Sequence, residues 1–370
     1  MTESESLFLD AAVELARNGL YSTPPNPRVG CLIVRDGEVL GRGWHRRAGE
    51  LHAEAMALAD VRAHGRERLL EGATCFVSLE PCAHHGRTPP CADALIAARV
   101  GRVMIAADDP YPTVAGRGIE RLRAAGIRVE VHPRASAIEL NRGFFRLFCE
   151  GRPWVRVKLA ASLDGRTAMP SGESRWITSE AARLDGHRWR AQSGAVVTGI
   201  GTVLADDPLL TVRGDEFAVD GVVRQPLRVV VDGRLRTPPT SQLLRAPGSV
   251  LIATTIPIDS DAGRALRLCG ADLFERRAPR TDLDDVFAEL ARRDVSEVLV
   301  EAGPRLTGSV LQSQNWDEAI VYLAPKLLGR DARPFADLSI DRLADAIRGQ
   351  VTDVARIGDD VRLRILRIAR

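Results

Sequence analysis

Residues 74–107 read TCFVSLEPCAHHGRTPPCADALIAARVGRVMIAA, and this stretch decides how the first half of the chain folds. TCFVSLE is a short apolar run and reads as a buried strand ending at Glu80. Pro81-Cys82 closes that strand, Cys91 opens a helical segment over Ala92–Ala98, and RVMIAA supplies the next strand. Toward the N-terminus, the spacing predicts an amphipathic helix over Ser4–Asn18, with Leu7, Ala11, Leu15 and Ala16 on one stripe. VGCLIVRDGEVLGRG (29–43) reads as a hairpin turning at Asp36-Gly37, and a helical pattern runs from about His52 to His64. Toward the C-terminus, GIERLRAAGIRVEV (118–131) is a helix–strand unit. Alternating helices and strands predict a layered α/β domain with a central sheet.

Ile138–Pro153 is a natural joint, because Gly151 and Pro153 break a helix-like segment. A second α/β series then begins with WVRVKLAAS (154–162). Its further strands are expected at 195–199, 227–232, 249–254, 297–303 and 318–325. A helix is expected to open at Thr281, with Asp284 completing a capping box. VRLRILRIA (361–369) alternates as a last strand, and no internal repeat is visible. The expected division is two domains, 1–150 and 151–370.

With 370 residues the chain is long enough for two sizeable cores. Its net charge is +2 and only 5% of residues are aromatic, which disfavours a nucleic-acid surface of basic and stacking groups. Six unevenly spaced cysteines do not form a secreted disulfide framework, and no apolar run is long enough to span a membrane. The N-terminal stretch reads as neither a secretory signal nor a transit peptide. A cytoplasmic protein acting on a small molecule, with no membrane and no nucleic-acid partner, is expected.

His52-Ala53-Glu54 heads the second helix, and Cys82 and Cys91 follow at element boundaries. One His and two Cys can bind zinc and leave the fourth tetrahedral position open. A carboxylate two residues from the His, not itself a ligand, suits a proton shuttle in deamination. The usual signature, H-x-E followed by P-C-x-x-C, is altered here by eight residues between the cysteines, AHHGRTPP. His84 and His85 in that insert stand as alternative ligands.

The second half lacks a complete G-x-G-x-x-G fingerprint after Gly199-Ile200-Gly201-Thr202. Glu301 through Ser309 is better placed, following an apolar strand and opening a helix whose amides can bind phosphate. Polar residues also cluster at Lys158, at Ser162–Gly165, at Ser174–Thr178 and at Thr202–Arg213. Arg190 and Arg213 carry forks suited to a substrate phosphate, or serve as surface salt-bridge residues. The residues alone give an α/β domain for a phosphate-bearing ligand.

PNPRVGC (25–31), GRGWHRRAGELHAEAMAL (41–58) and VSLEPCAHHGRTPPCADALI (77–96) resemble the deaminase half of the bacterial bifunctional riboflavin-biosynthesis deaminase/reductases. VKLAASLDGRTA (157–168), SGESRWIT (171–178), residues 190–213 and VLVEAGPRLTGSVL (298–311) resemble their reductase half. The resemblance implies an α/β fold: an N-terminal cytidine-deaminase-like zinc domain and a C-terminal dihydrofolate-reductase-like domain using NADPH. It implies zinc ligands His52, Cys82 and Cys91, with Glu54 catalytic, and Asn26, His45 and His84 lining the substrate pocket. For NADPH it implies Ala160, Trp176, Thr202, Asp206 and the run Gly303, Pro304, Arg305, Leu306, Thr307, Gly308 and Ser309. For the second substrate site it implies Lys158, Ser174, Arg190, Leu210, Arg213 and Glu301. The implied substrate is a phosphoribosylamino pyrimidinone, deaminated at C2 and then reduced at C1′, and the implied assembly is a homo-oligomer. The competing readings are a tRNA or DNA base deaminase with an accessory domain, and a non-catalytic zinc-binding protein with a closed four-ligand site.

Overall fold

The computed structural model describes residues 1–84, 89–276, 281–313 and 315–368. The chain divides into two compact units, Met1–Gly151 and Arg152–Arg370.

The first unit opens with α1 (Glu3–Ala16). Thr2 Oγ1 accepts from the Glu5 N–H and the Glu5 carboxylate accepts from the Thr2 N–H, so two of the orphan donors at the helix start are satisfied. The helix buries Leu9, Ala12, Val13 and Ala16. Leu7, assigned to the inner stripe from spacing, is 65% exposed. Of the expected stripe Ala16 is buried and Leu15 packs at the edge of the core, while contact with the sheet turns the inner face toward Leu9 and Val13 and away from Leu7 and Ala11. Strands β1 (Gly30–Arg35) and β2 (Glu38–Trp44) form the expected hairpin. Asp36 and Gly37 both have positive φ, 51° and 81°, as a two-residue turn matched to strand twist requires.

α2 (Ala53–Ala63), β3 (Thr74–Val77), α3 (Cys91–Ala97), β4 (Arg102–Ile105), α4 (Arg117–Ala124) and β5 (Arg128–Val131) follow, then α5 (Ala135–Leu140) and α6 (Arg142–Glu150). The sheet order is β2-β1-β3-β4-β5, with β3, β4 and β5 parallel. Both faces are covered, because the side chains alternate. Cys75, Val77, Val103 and Ile105 pack under α2, α3 and α4, while Phe76 and Met104 pack with α1 and α6. At Gly43 a Cβ would lie 2.2 Å from the Ala53 carbonyl oxygen, so the first turn of α2 rests directly on β2.

The second unit begins with β6 (Trp154–Ser162) and β7 (Arg166–Ala168). α7 (Glu180–Gln192), capped by Ser179, was not apparent from the sequence; its buried face mixes Ala182 and Trp189 with Asp185. Next come β8 (Ala195–Gly199), α8 (Ile200–Asp206), the small ribbon β9 (Ala218–Val219) and β10 (Val222–Val223), and β11 (Leu227–Val231). α9 (Gln242–Arg245), β12 (Val250–Thr254), α10 (Asp261–Leu268), β13 (Ala271–Glu275) and α11 (Leu283–Arg292) follow. Asp282, not Thr281, caps α11, and its carboxylate accepts from the Asp284 N–H at 3.0 Å. The expected capping box is therefore replaced by a cap one residue later, because an aspartate reaches the freed amide directly.

β14 (Glu297–Val300), α12 (Pro304–Ser313), β15 (Glu318–Ala324), β16 (Arg333–Pro334), β17 (Gly349–Ile357) and β18 (Asp360–Arg367) complete the unit. Nine strands run in the order β13-β12-β11-β8-β14-β6-β15-β18-β17, parallel through β15 and antiparallel over the last two pairings. β6 shows the two-residue period plainly. Val155, Val157 and Leu159 enter the main core, while Arg156 and Lys158 lie on the face toward the rings of Trp189 and Tyr322. Among the described residues no helix is long and apolar enough to cross a membrane.

Candidate active sites

The first site is built where α2 and α3 start. His52 is the residue preceding α2, in an extended conformation, and Glu54 lies in the first turn. β3 ends at Val77, short of the expected Glu80, and the irregular segment after it carries Cys82, while Cys91 is the first residue of α3. The Ala92 N–H donates to the Cys82 carbonyl at 3.1 Å, joining the two sides of the cysteine pair. His52 Nδ1 stands 3.5 Å from Cys82 Sγ and 3.3 Å from Cys91 Sγ, and the Cys91 N–H donates to Cys82 Sγ at 3.4 Å. The three ligand atoms all lie within 4.8 Å of one another.

The thiols and the imidazole share protons. The Cys91 thiol, followed by His52 and the Cys91 amide, pulls the Cys82 thiol down to about 4, while Cys91 is pushed up, first by the same partner. His52 is raised by its hydrogen bond to Cys82. A pre-gathered nitrogen and two sulfurs, one already disposed to ionise, are the donor set zinc prefers, with one tetrahedral position left open. Glu54 is buried; burial, then the Cys82 charge, pushes its carboxyl up to about 7.

His45 and Asn26 adjoin this cluster. The His45 ring lies edge-on to His52 at 5.2 Å, and burial lowers its pKa to about 4. A neutral His45 donates from Nδ1 to the Leu51 carbonyl at 3.1 Å, so Nε2 accepts from Asn26 Nδ2 at 3.0 Å. That fixes the Asn26 amide with its oxygen free to accept. His84 instead faces Tyr111, ring centroids 6.0 Å apart, and is not part of the metal-ligand group. His85 lies outside the described residues.

Two carboxylates escaped the sequence reading. Glu80 accepts from the N–H groups of Asp109, Gly116, Gly118 and Ile119 at 3.0–3.3 Å, fastening the Pro81-Cys82 turn to the loop after β4 and to the first turn of α4. Asp109 is pushed up to about 7 by burial and by the charges of Glu80, Cys82 and Glu54. An acidic residue ending an otherwise apolar strand was the signal available for Glu80.

In the second unit, strand order places β8, β14 and β6 side by side, so the segments after β8 and β14 meet near Lys158. Glu301 accepts from Arg190 Nε at 2.5 Å and Nη2 at 3.0 Å, and stands 3.9 Å from Lys158 Nζ. Arg190 Nη1 also donates to the Thr211 carbonyl at 3.0 Å. Burial opposes the Glu301 charge, yet Arg190 and then Lys158 hold its carboxyl down at about 2. Burial lowers Lys158. Arg190 is thus engaged by Glu301, with two N–H groups left over, while Arg213 sits beside His187, a residue the sequence did not single out.

Thr202 Oγ1 accepts from the Gly303 N–H at 3.2 Å, joining two segments expected to hold cofactor. Pro304 starts α12, where the leading amides have no intrahelical partner. Thr307 and Gly308 pack inward, and Ser309 is exposed with its hydroxyl on the Arg305 carbonyl. Trp176 is 62% exposed under the Arg183 guanidinium, and the Asp206 carbonyl accepts from Arg175. Ala160 pairs with Tyr322, Ser174 is half-buried, and Leu210 is buried with φ 53°.

Residues 2–107 match the cytidine and deoxycytidylate deaminase zinc-binding region, and residues 153–363 match the RibD C-terminal domain. Riboflavin biosynthesis protein RibD of Escherichia coli K12 is 45% identical, covering 98% of this chain and 99% of its own. That of Haemophilus influenzae is 42% identical over 98% and 97%. Acinetobacter baumannii RibD superposes with a TM-score of 0.91 at 42% identity, covering 99% of both chains. A diaminohydroxyphosphoribosylaminopyrimidine deaminase/5-amino-6-(5-phosphoribosylamino)uracil reductase from Thermotoga maritima does so with 0.86 at 30% identity, again over 99% of both. Likeness across both halves disfavours a nucleic-acid deaminase with an accessory domain. The chain belongs to the bifunctional riboflavin-biosynthesis deaminase/reductases, enzymes that join a zinc-binding deaminase domain to an NADPH-dependent reductase domain.

Proposed function

We propose that Met1–Gly151 deaminates 2,5-diamino-6-(5-phosphoribosylamino)pyrimidin-4(3H)-one at C2, and that Arg152–Arg370 then reduces its ribosyl chain to ribityl. The observation that carries the first step is the convergence of His52, Cys82 and Cys91 beside a buried Glu54 that is not among the ligands. Those three residues would hold the zinc ion, which makes hydroxide available from water at neutral pH. Glu54 would take a proton from the attacking water and deliver it to the leaving amino group, the second proton passing to the ring nitrogen, so that ammonia departs and oxygen replaces nitrogen on C2. A buried carboxyl beside the three ligands, itself outside that group, is placed to do both. Asn26, its amide fixed by His45, presents an acceptor to the substrate's polar edge, and His84 contributes from the insert.

For reduction, bound NADPH would supply hydride chemistry at C1′ of the ring-opened substrate, with the matching proton on the nitrogen drawn from solvent. Lys158 and Glu301 orient and polarise the sugar, while Ser174, Leu210, Arg213 and the free N–H groups of Arg190 seat the rest of the substrate. Thr202 and the Gly303–Ser309 segment, with Ala160, Trp176 and Asp206, form the cofactor side. The helix start at Pro304 suits a cofactor phosphate. All six cysteines are free, in keeping with a reducing cytoplasm. β17 carries Val351 and Val354, 51% and 63% exposed, on a sheet edge that a second copy of the chain would cover.

The test follows ammonia release and NADPH oxidation together in purified protein given the pyrimidine substrate. Ammonia first, then NADPH consumption, with both lost in Glu54→Ala, is the expected outcome. NADPH oxidation that precedes ammonia release overturns the order of steps. Absence of both signals from zinc-loaded protein overturns the substrate assignment.

A further inference from the structure

His187 lies on α7 one turn before Arg190 and faces the segment that carries Leu210 and Arg213. Its Nδ1 accepts from the Arg213 backbone N–H at 3.2 Å, so Nδ1 is the unprotonated nitrogen and the ring proton sits on Nε2. Nε2 is 3.2 Å from Arg213 Nη2, and two N–H donors therefore face each other. Burial, then the Arg190 and Arg213 charges, lowers the ring's pKa to about 4, while Glu301 and the Thr211 carbonyl pull weakly the other way. That carbonyl already accepts from Arg190. Arg213 has no carboxylate partner among the described residues, and burial and Arg190 both work against its charge. The Thr211 carbonyl is shared by His187 and Arg190 and Arg213 is exposed, so the facing donors have only a shared carbonyl and solvent as partners, and an oxyanion that accepts from both supplies a stronger one.

We propose that His187 is a specificity-determining residue of the reductase site, its Nε2–H and the Arg213 guanidinium forming a two-donor clamp for the substrate's 5-phosphate. The assignment rests on the reduction step proposed above. A phosphate monoester is also present on NADPH, at the ribose 2′ position, so the test must separate the two sources.

Reductase kinetics of the wild type, His187→Ala and His187→Gln are measured on the deaminated substrate with and without its 5-phosphate, and with NADPH and NADH. Loss of a hydrogen bond to a charged group predicts a KM about tenfold higher in His187→Ala for the phosphorylated substrate. KM for the dephosphorylated substrate stays within about twofold of the wild type, and kcat changes little. His187→Gln, which keeps an N–H donor in nearly the same place, recovers most of the loss. An equal loss on both substrates reduces His187 to a packing role and overturns the clamp. A changed NADPH-to-NADH preference with unchanged substrate preference assigns the donors to the cofactor and also overturns it. Wild-type protein inert on the phosphorylated substrate overturns the reduction reading itself, whereas an active wild type with an unaffected His187→Ala overturns the inference alone.

Discussion

The two sites meet the cost of buried polar groups in opposite ways. In the first unit His52, Cys82 and Cys91 share protons among themselves, and their ionisation is completed only when a cation replaces those protons. In the second, Glu301 is already matched by Arg190 and Lys158, so the charge balance is internal. One site is assembled to receive an ion. The other is an ion network in place before any ligand arrives, and a ligand must compete with bonds that already exist.

Substitutions that remove a ligand should separate the sites most strongly. Cys91→Ser should abolish bound zinc, measured by elemental analysis, and ammonia release, while reduction of pre-deaminated substrate continues; parallel loss of both activities would break the contrast. Glu54→Gln should keep the zinc and slow ammonia release by about 10²–10⁴-fold, the range for a general acid–base group. Unchanged turnover would remove Glu54 from the proton path.

Glu301→Gln should strand two buried cations, costing about 3–5 kcal/mol of stability in the second unit, read as a lower melting transition. The pH dependence has a definite sign. Glu301 is depressed to about 2 from an ordinary value near 4.5, so its contribution is fully present above about 4.5 and is lost as pH falls toward 2. Glu301→Gln should therefore flatten the acid limb of that unit's stability; an acid limb identical to the wild type's would show that the network is not internally balanced. The smallest effect is expected at Thr2→Ala, which removes the capping box of α1 for about 1 kcal/mol and leaves both kcat values alone. A change in either kcat would tie that helix to the chemistry.

The same contrast governs what could be read in advance. The first site is legible because its chemistry comes in short strings at element boundaries: His52 and Glu54 at a helix start, Cys82 after a strand, Cys91 at the next helix start. The convergence of Lys158, Arg190 and Glu301 depends on the order β8-β14-β6, which no local pattern specifies, and only resemblance to a family brought these residues together. The rotation of α1 is only partly legible for a related reason: of Leu7, Ala11, Leu15 and Ala16 only Ala16 is buried, and contact with β1 and β3 is what brings Leu9 and Val13 inward. Helix α7 stayed hidden because Asp185 on its buried face is satisfied by Tyr322 and Arg362, partners from distant strands.

Glu80 has a practical consequence. Its carboxylate gathers the amides of Asp109, Gly116, Gly118 and Ile119, and it lies two residues before Cys82. These four protons form a built-in gauge: their exchange with deuterated solvent should require release of the turn that carries Cys82, a proposed zinc ligand. Mass spectrometry of the segment from Asp109 to Ile119 would then report the integrity of the metal site in silent variants and chelated protein alike, with no substrate in the tube.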